Sequence, residues 1–165
     1  MTSRETNEQT RSTSMAYESF IRTGSFVVNH PPDRVFPLIC PKREEEWIPG
    51  WSCEVLASQS GFAEVGAVFR TTEPYGGELV WATAEHDAAR GVVEFVNHSP
   101  QRFVFFFRIE LRFEGAGARL TFTQRFCPVS DEGAVHVAEF RKEDFRSRLD
   151  RLGQLIDAHL GGINL

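Results

Sequence analysis

The sequence predicts an α+β domain, an antiparallel sheet of six to seven strands closed by one long C-terminal helix. Three observations carry this. From Phe103 to Phe113 (Phe103-Val104-Phe105-Phe106-Phe107-Arg108-Ile109-Glu110-Leu111-Arg112-Phe113) every odd position is apolar and charge appears only at even ones. That is the pattern of a long strand with one buried face. Between Trp51 and Phe126, apolar runs are separated by Gly, Pro, Asp and Asn signals at spacings too short for crossover helices, which gives an antiparallel meander. From Asp131 to Leu160 the side chains of Phe145, Leu149, Leu152, Ile156 and Leu160 form one stripe. This predicts a single helix of roughly 25 to 30 residues, on the order of 40 Å long.

The elements follow in order. Met15 to Arg22 reads as a short amphipathic lead-in and Ser25 to Asn29 as a first strand, before a Pro31-Pro32 doublet that suits a helix start. The helix carrying Val35, Phe36 and Ile39 must be kinked or very short, because Pro37 lacks an N–H and crowds the preceding turn. A second helical piece is expected at Lys42 to Trp47, with Glu44-Glu45-Glu46 as its solvated face. Strands are expected at Ser52 to Ala57, Val68 to Glu73, Glu78 to Glu85, Val92 to Asn97, Phe103 to Phe113 and Ala118 to Phe126. In the last hairpin a two-residue turn would set Arg112 opposite Arg119. A four-residue Gly115 to Ala118 loop sets Glu114 there instead, an exchange worth a few tenths to about 1 kcal/mol, so the longer loop is expected. Gly153, on or near the apolar stripe, costs a helix about 1 kcal/mol relative to Ala and calls for close approach of a strand or a ligand.

Composition narrows the function classes. The 165 residues, 41% hydrophobic and with 15 Phe, suit one domain with a full-sized core. The 18 basic against 23 acidic residues leave a net charge of −5, which argues against nucleic acid as the main partner. No apolar run is long enough to span a bilayer as a helix, so no integral membrane association is expected. Met1 to Ser14 lacks a hydrophobic segment; residues 1–21 are read as a loosely ordered tail, residues 22–165 as the domain, and the expected location is cytoplasmic. Cys40, Cys53 and Cys127 share no metal-like spacing and read as free, mostly buried thiols, with no metal and no cofactor expected.

This order of elements is joined by Pro31-Pro32-Asp33-Arg34-Val35-Phe36-Pro37-Leu38, by Glu46-Trp47-Ile48-Pro49-Gly50-Trp51, and by a Phe-rich strand before the last hairpin. Together they resemble the START-like superfamily, also called Bet v 1-like or SRPBCC, over about residues 22 to 162. The resemblance implies a helix-grip fold: two short helices after the first strand, and a curved sheet that wraps the C-terminal helix and encloses a cavity for apolar small molecules. That superfamily includes lipid carriers, polyketide aromatases and cyclases, oxygenase subunits and Aha1-type co-chaperones. An oxygenase iron site is not expected, because His30, His86, His98, His136 and His159 form no close two-histidine motif.

The candidate wall of such a pocket is Phe103, Phe105, Phe107, Phe122 and Gln124 from the sheet, with Phe145, Leu149 and Leu152 from the helix. Trp81 and Thr83 share a face with Leu79 and Glu85, and belong either to the pocket or to the core under the helix. Gln124, on an otherwise apolar face, either orients a ligand or is satisfied within the protein. Glu94 and His98 share one face of their strand, and the sequence does not fix whether that face is inward; an inward Glu94 would have a raised pKa and could serve as acid or base. Trp47, Pro49, Gly50 and Trp51 either edge the pocket mouth or cap the core. Arg102, Arg108, Arg112, Arg119 and Arg125, interleaved with Glu110 and Glu114, read as a solvated, salt-laced outer face. The expected function is binding of an apolar or aromatic small molecule, lipid or polyketide-like, by a monomer or homodimer, with no catalytic residue assigned. The alternatives are a cyclase or dehydratase using the same pocket, and an Aha1-type co-chaperone or regulatory module.

Overall fold

The computed structural model describes residues 16–72 and 77–163. Most of the expected tail, and Glu73 at the end of one expected strand, lie outside the described residues. The chain forms β1 (Phe20–Val28), α1 (Pro32–Val35), β2 (Glu54–Ala57), β3 (Val68–Thr72), β4 (Glu78–Asp87), β5 (Val92–Ser99), β6 (Phe103–Glu114), β7 (Gly117–Pro128), α2 (Asp131–Lys142) and α3 (Phe145–Gly161). Its seven strands make one antiparallel sheet in the order β1-β7-β6-β5-β4-β3-β2, so the first strand returns to pair with the last. α1 starts on Pro32 and lasts a single turn before passing into a 3-10 turn at Phe36–Leu38, where Pro37 cannot donate. The second expected helical piece is a 3-10 turn at Arg43–Glu46.

Alternation sets the layers. Phe103, Phe105, Phe107, Ile109 and Leu111 of β6 are buried, while Phe106 and Arg112 face out. On β5 the inward set is Val93, Phe95, Asn97 and Ser99, which places Glu94 and His98 on the outer face. The register of β4 slips between Thr83 and Glu85, so Glu85 pairs with Glu94 instead of continuing the inward face of Trp81 and Thr83. A bulge re-aims side chains in this way, and it turns His86 inward against Phe36, with ring centroids 4.9 Å apart. Outside, Arg108 bridges Glu85 and Glu94 at 3.0 Å each, the salt-laced surface expected from the sequence.

Three expectations fail. The first strand begins at Phe20, within the expected lead-in, because its pairing with β7 runs on through Arg22 and Gly24. The β6–β7 hairpin has the short turn, with Glu114 opposite Gly117 and Arg112 opposite Arg119. The like charges never meet: Arg119 crosses diagonally to Glu114 at 2.9 Å, and Arg112 donates to the carbonyl of Arg90 at 2.6 Å. Gly115, at φ +59°, fits the first central position of a two-residue II′ turn, and that turn geometry outweighs the small charge term. The long helix is also two helices. Glu143 and Asp144 leave the helical region at ψ 137° and 83°, and Asp144 caps α3 by accepting from the Ser147 N–H at 3.0 Å.

α3 is pressed onto β1. A Cβ built on Gly24 would stand 2.5 Å from Leu149 Cδ1, and one on Gly153 would stand 2.9 Å from the Phe26 ring. The close approach that Gly153 calls for is therefore to a strand side chain, Phe26.

Candidate functional site

Sealing α3 against β1 leaves space farther across the sheet. A cavity of about 200 Å³ lies there, walled by Leu79 and Trp81 of β4, Phe103, Phe105 and Phe107 of β6, Gln124 and Phe126 of β7, and Phe140 of α2. Thr71 and Thr72 of β3, Trp51, Arg22 of β1 and Arg148 of α3 complete it. The aromatic wall is ordered by stacking: Phe105 lies 4.4 Å from Phe126 at 3° between planes, and Phe126 lies 4.5 Å from Phe140. The Trp81 indole donates to Thr71 Oγ1 at 2.8 Å, which fixes its ring edge-on to Phe95.

One end of the cavity is polar. The Arg22 side chain is 9% exposed and spends its donors on β7, on α2 and on the residue that follows α2. Its Nε donates to Gln124 Oε1 at 2.7 Å, and its Nη1 donates to Glu143 at 2.9 Å and to the Phe140 carbonyl at 3.1 Å. Its guanidinium also lies 4.1 Å from the centroid of the Phe145 ring. Glu143 is shared with Arg148 at 2.6 Å. Burial pushes the Glu143 carboxyl up, but the Arg148 and Arg22 guanidiniums outweigh it and hold the group below the usual carboxylate range. The Arg148 charge also reaches Glu44. That residue is half-buried, and burial pushes its pKa up to about 8 against the pull of Arg148. Glu45 and Glu46, beside it, are the solvated residues of the acidic run and pair with Lys42 and Arg43. Cys53 is buried, which pushes its thiol up to about 12 and leaves it chemically quiet. Among the described residues no cluster of His, Cys, Asp or Glu could hold a metal ion, and no helix is long and apolar enough to cross a membrane.

No protein-family model matches the chain, and no curated protein matches it in sequence. Solved structures do match in shape. An aromatase/cyclase from Streptomyces superimposes with a TM-score of 0.65 at 13% identity, over 87% of this chain and 96% of that one. Truncated norcoclaurine synthase from Thalictrum flavum gives 0.65 at 13% identity, over 88% and 96%. Major latex-like protein 151 from Panax ginseng gives 0.61 at 15% identity, over 87% and 97%. The fold is the Bet v 1-like helix-grip fold. At these identities the likeness concerns the fold alone.

Within this helix-grip fold the candidate residues separate into two groups. Trp81, Phe103, Phe105, Phe107 and Gln124 share the cavity wall. Thr83, Phe122, Phe145, Leu149 and Leu152 stand outside it. Phe122 packs edge-on between Phe26 and Phe107, Leu149 and Phe145 press on Gly24, Leu152 joins the core beside them, and Thr83 is buried farther along β4. Gln124 lines the cavity, and its oxygen is held within the protein by Arg22. The two tryptophans divide likewise: Trp51 lines the cavity, whereas Trp47 is buried with its indole N–H on the Leu38 carbonyl. The sequence reading missed Arg22, Arg148, Leu79, Thr71, Thr72, Phe126 and Phe140 as wall residues. Arg22 carried a signal, because it has the inward parity of Gly24, Phe26 and Val28 and a cation in that set is anomalous.

Proposed function

We propose that the protein binds a compact aromatic or apolar small molecule in this cavity. The observation that carries the reading is the interior space itself, walled by stacked Phe rings and Trp81 with one polar end at Arg22, Gln124 and Arg148. Its size sets the scale of the ligand. Drug-sized ligands occupy roughly 300–1,000 Å³, and a cavity of about 150 Å³ takes benzene, so about 200 Å³ suits one or two fused rings. A full-length lipid chain does not fit without rearrangement. Neighbours in fold include a protein named as an aromatase/cyclase and another named as a synthase, which is consistent with a site for ring compounds.

A cyclase or dehydratase reading has less behind it. Glu85 and Glu94 are bound to Arg108 outside the sheet and His98 is exposed, so none of the three offers a proton to the cavity. At the polar end Glu143 is paired with both Arg22 and Arg148, and Glu44 reaches the site only through the field of Arg148. The binding reading is tested by native mass spectrometry of freshly purified protein, followed by titration of naphthalene into the wild type and into Leu79→Trp, whose larger ring would occupy the cavity. A co-purified small-molecule mass, or saturable naphthalene binding lost in Leu79→Trp, supports it. No bound mass together with no naphthalene binding contradicts it.

A further inference from the structure

The wall of the cavity carries charge of one sign. Among its described residues are two guanidiniums, Arg22 and Arg148, and no carboxylate. Glu143 stands beside them and is shared by both, at 2.9 Å from Arg22 and 2.6 Å from Arg148, so a single negative charge answers two positive ones. Glu44, the other acid within the field of Arg148, changes this balance little, because burial keeps most of it protonated at neutral pH. Arg148 is the more accessible cation. Its side chain is 42% exposed, its Nη1 is on Glu143, and its Nε and Nη2 make no hydrogen bond to the described residues.

Gln124 adds an uncharged donor. An arginine can only donate, so the Gln124 atom that faces Arg22 Nε at 2.7 Å is the oxygen, which fixes the amide with its Nε2 turned the other way. Gln124 is 5% exposed and lines the cavity, and this Nε2 makes no hydrogen bond to the described residues. Unlike the amide of Asn97, which is sealed within the sheet, it keeps accessible surface. A buried N–H without a partner costs free energy, and an acceptor brought in by a ligand would complete it.

We infer that Gln124 Nε2 and Arg148 form a subsite for a carboxylate carried on the ligand's ring. This rests on the cavity-binding reading above and narrows its ligand class to an aromatic acid of one or two fused rings. The chain of bonds from Gln124 through Arg22 and Glu143 to Arg148 holds both donors at the same end of the cavity. A carboxylate accepts only and offers two oxygens, which suits an amide N–H and a guanidinium that have donors to spare. Its charge also cancels the surplus at that end. A ligand ammonium would be repelled there, and a neutral hydroxyl would leave the surplus unanswered.

The test titrates 2-naphthoate, its neutral isostere 2-naphthamide, and naphthalene into the wild type by nuclear magnetic resonance, and repeats the first two in Arg148→Met and Gln124→Glu. Hydrogen bonds to a charged partner are about twice as strong as neutral ones, so the wild type should prefer 2-naphthoate over 2-naphthamide by roughly tenfold or more. Arg148→Met should bring that preference to within about threefold. Gln124→Glu keeps an acceptor for Arg22 but puts an oxygen where the donor stood, and should reverse the preference. Both variants should fold, since Glu143 keeps Arg22 in the first and Arg22 keeps its acceptor in the second. Equal affinities for the acid and the amide in the wild type, or a preference that survives either substitution, overturn the subsite, while naphthalene binding leaves the cavity reading in place. Binding of none of the three overturns both.

Discussion

Replacing Arg22 by Met removes three hydrogen bonds at once, and the structure sets the size of the effect. The side chain is 9% exposed and joins Gln124, Glu143 and the Phe140 carbonyl across β1, β7 and the end of α2. Taking one partner from a buried ion pair typically costs about 3–5 kcal/mol. Glu143 keeps Arg148 at 2.6 Å, which moderates that figure, while the Gln124 and Phe140 oxygens lose their Arg22 donor. The expected loss is about 2–4 kcal/mol, a large part of a domain's total stability of roughly 5–15 kcal/mol. In a chain of this length the melting temperature should fall by roughly 5–15 °C. Gln124→Leu added to Arg22→Met removes one stranded group, so the double variant should recover about 1 kcal/mol or more relative to the sum of the two singles. Urea unfolding followed by tryptophan fluorescence measures all three variants. An Arg22→Met loss under about 1 kcal/mol, or a strictly additive cycle, would refute the coupling of Arg22 to Gln124.

Other expectations follow from the same geometry. Gly24→Ala should cost about 1–3 kcal/mol by thermal unfolding, because its Cβ would meet Leu149 Cδ1 at 2.5 Å; a neutral result would mean α3 is not pressed on β1. Gly153→Ala should be net destabilising despite a helix-propensity gain of about 1 kcal/mol, and Phe26→Leu in the same chain should relieve it. Glu44 has a folded pKa of about 8 against an ordinary 4.5, so its protonated form favours folding. That contribution is complete below pH 4.5 and is lost as pH rises through 8. Glu44→Gln should therefore match the wild type near pH 4 and exceed it by about 1–3 kcal/mol near pH 9, allowing for solvent screening of a half-buried group; a gap that does not widen with pH contradicts the raised pKa.

Parts of the fold governed by alternation were readable in advance. The β6 pattern placed Phe103, Phe105 and Phe107 on one buried face, and all three line the cavity. β1 was read too short because Arg22 and Gly24 interrupt its apolar rhythm, although pairing with β7 runs from Phe20 to Val28. Those two interruptions are what position the site, since Gly24 admits α3 and Arg22 closes the polar end. The break between α2 and α3 has no Gly or Pro to announce it. It depends on Glu143 finding Arg22, 121 residues away in sequence, and on Asp144 capping the next turn. The division of the helix stripe, with Phe145, Leu149 and Leu152 on core and Arg148 on cavity, follows from where α3 settles on β1, a tertiary distance that periodicity does not encode.

An interior binding site is tested most directly by nuclear magnetic resonance titration of isotope-labelled protein with naphthalene, with resonances assigned across both faces of the sheet. Saturable shifts centred on Trp81, Phe105, Phe126 and Phe140, with the outward Phe106 and the 74% exposed Phe113 unaffected, are the predicted result. Shifts confined to Phe106, Phe113 and their surface neighbours, with the inner wall silent, would contradict a ligand held between the sheet and its helices.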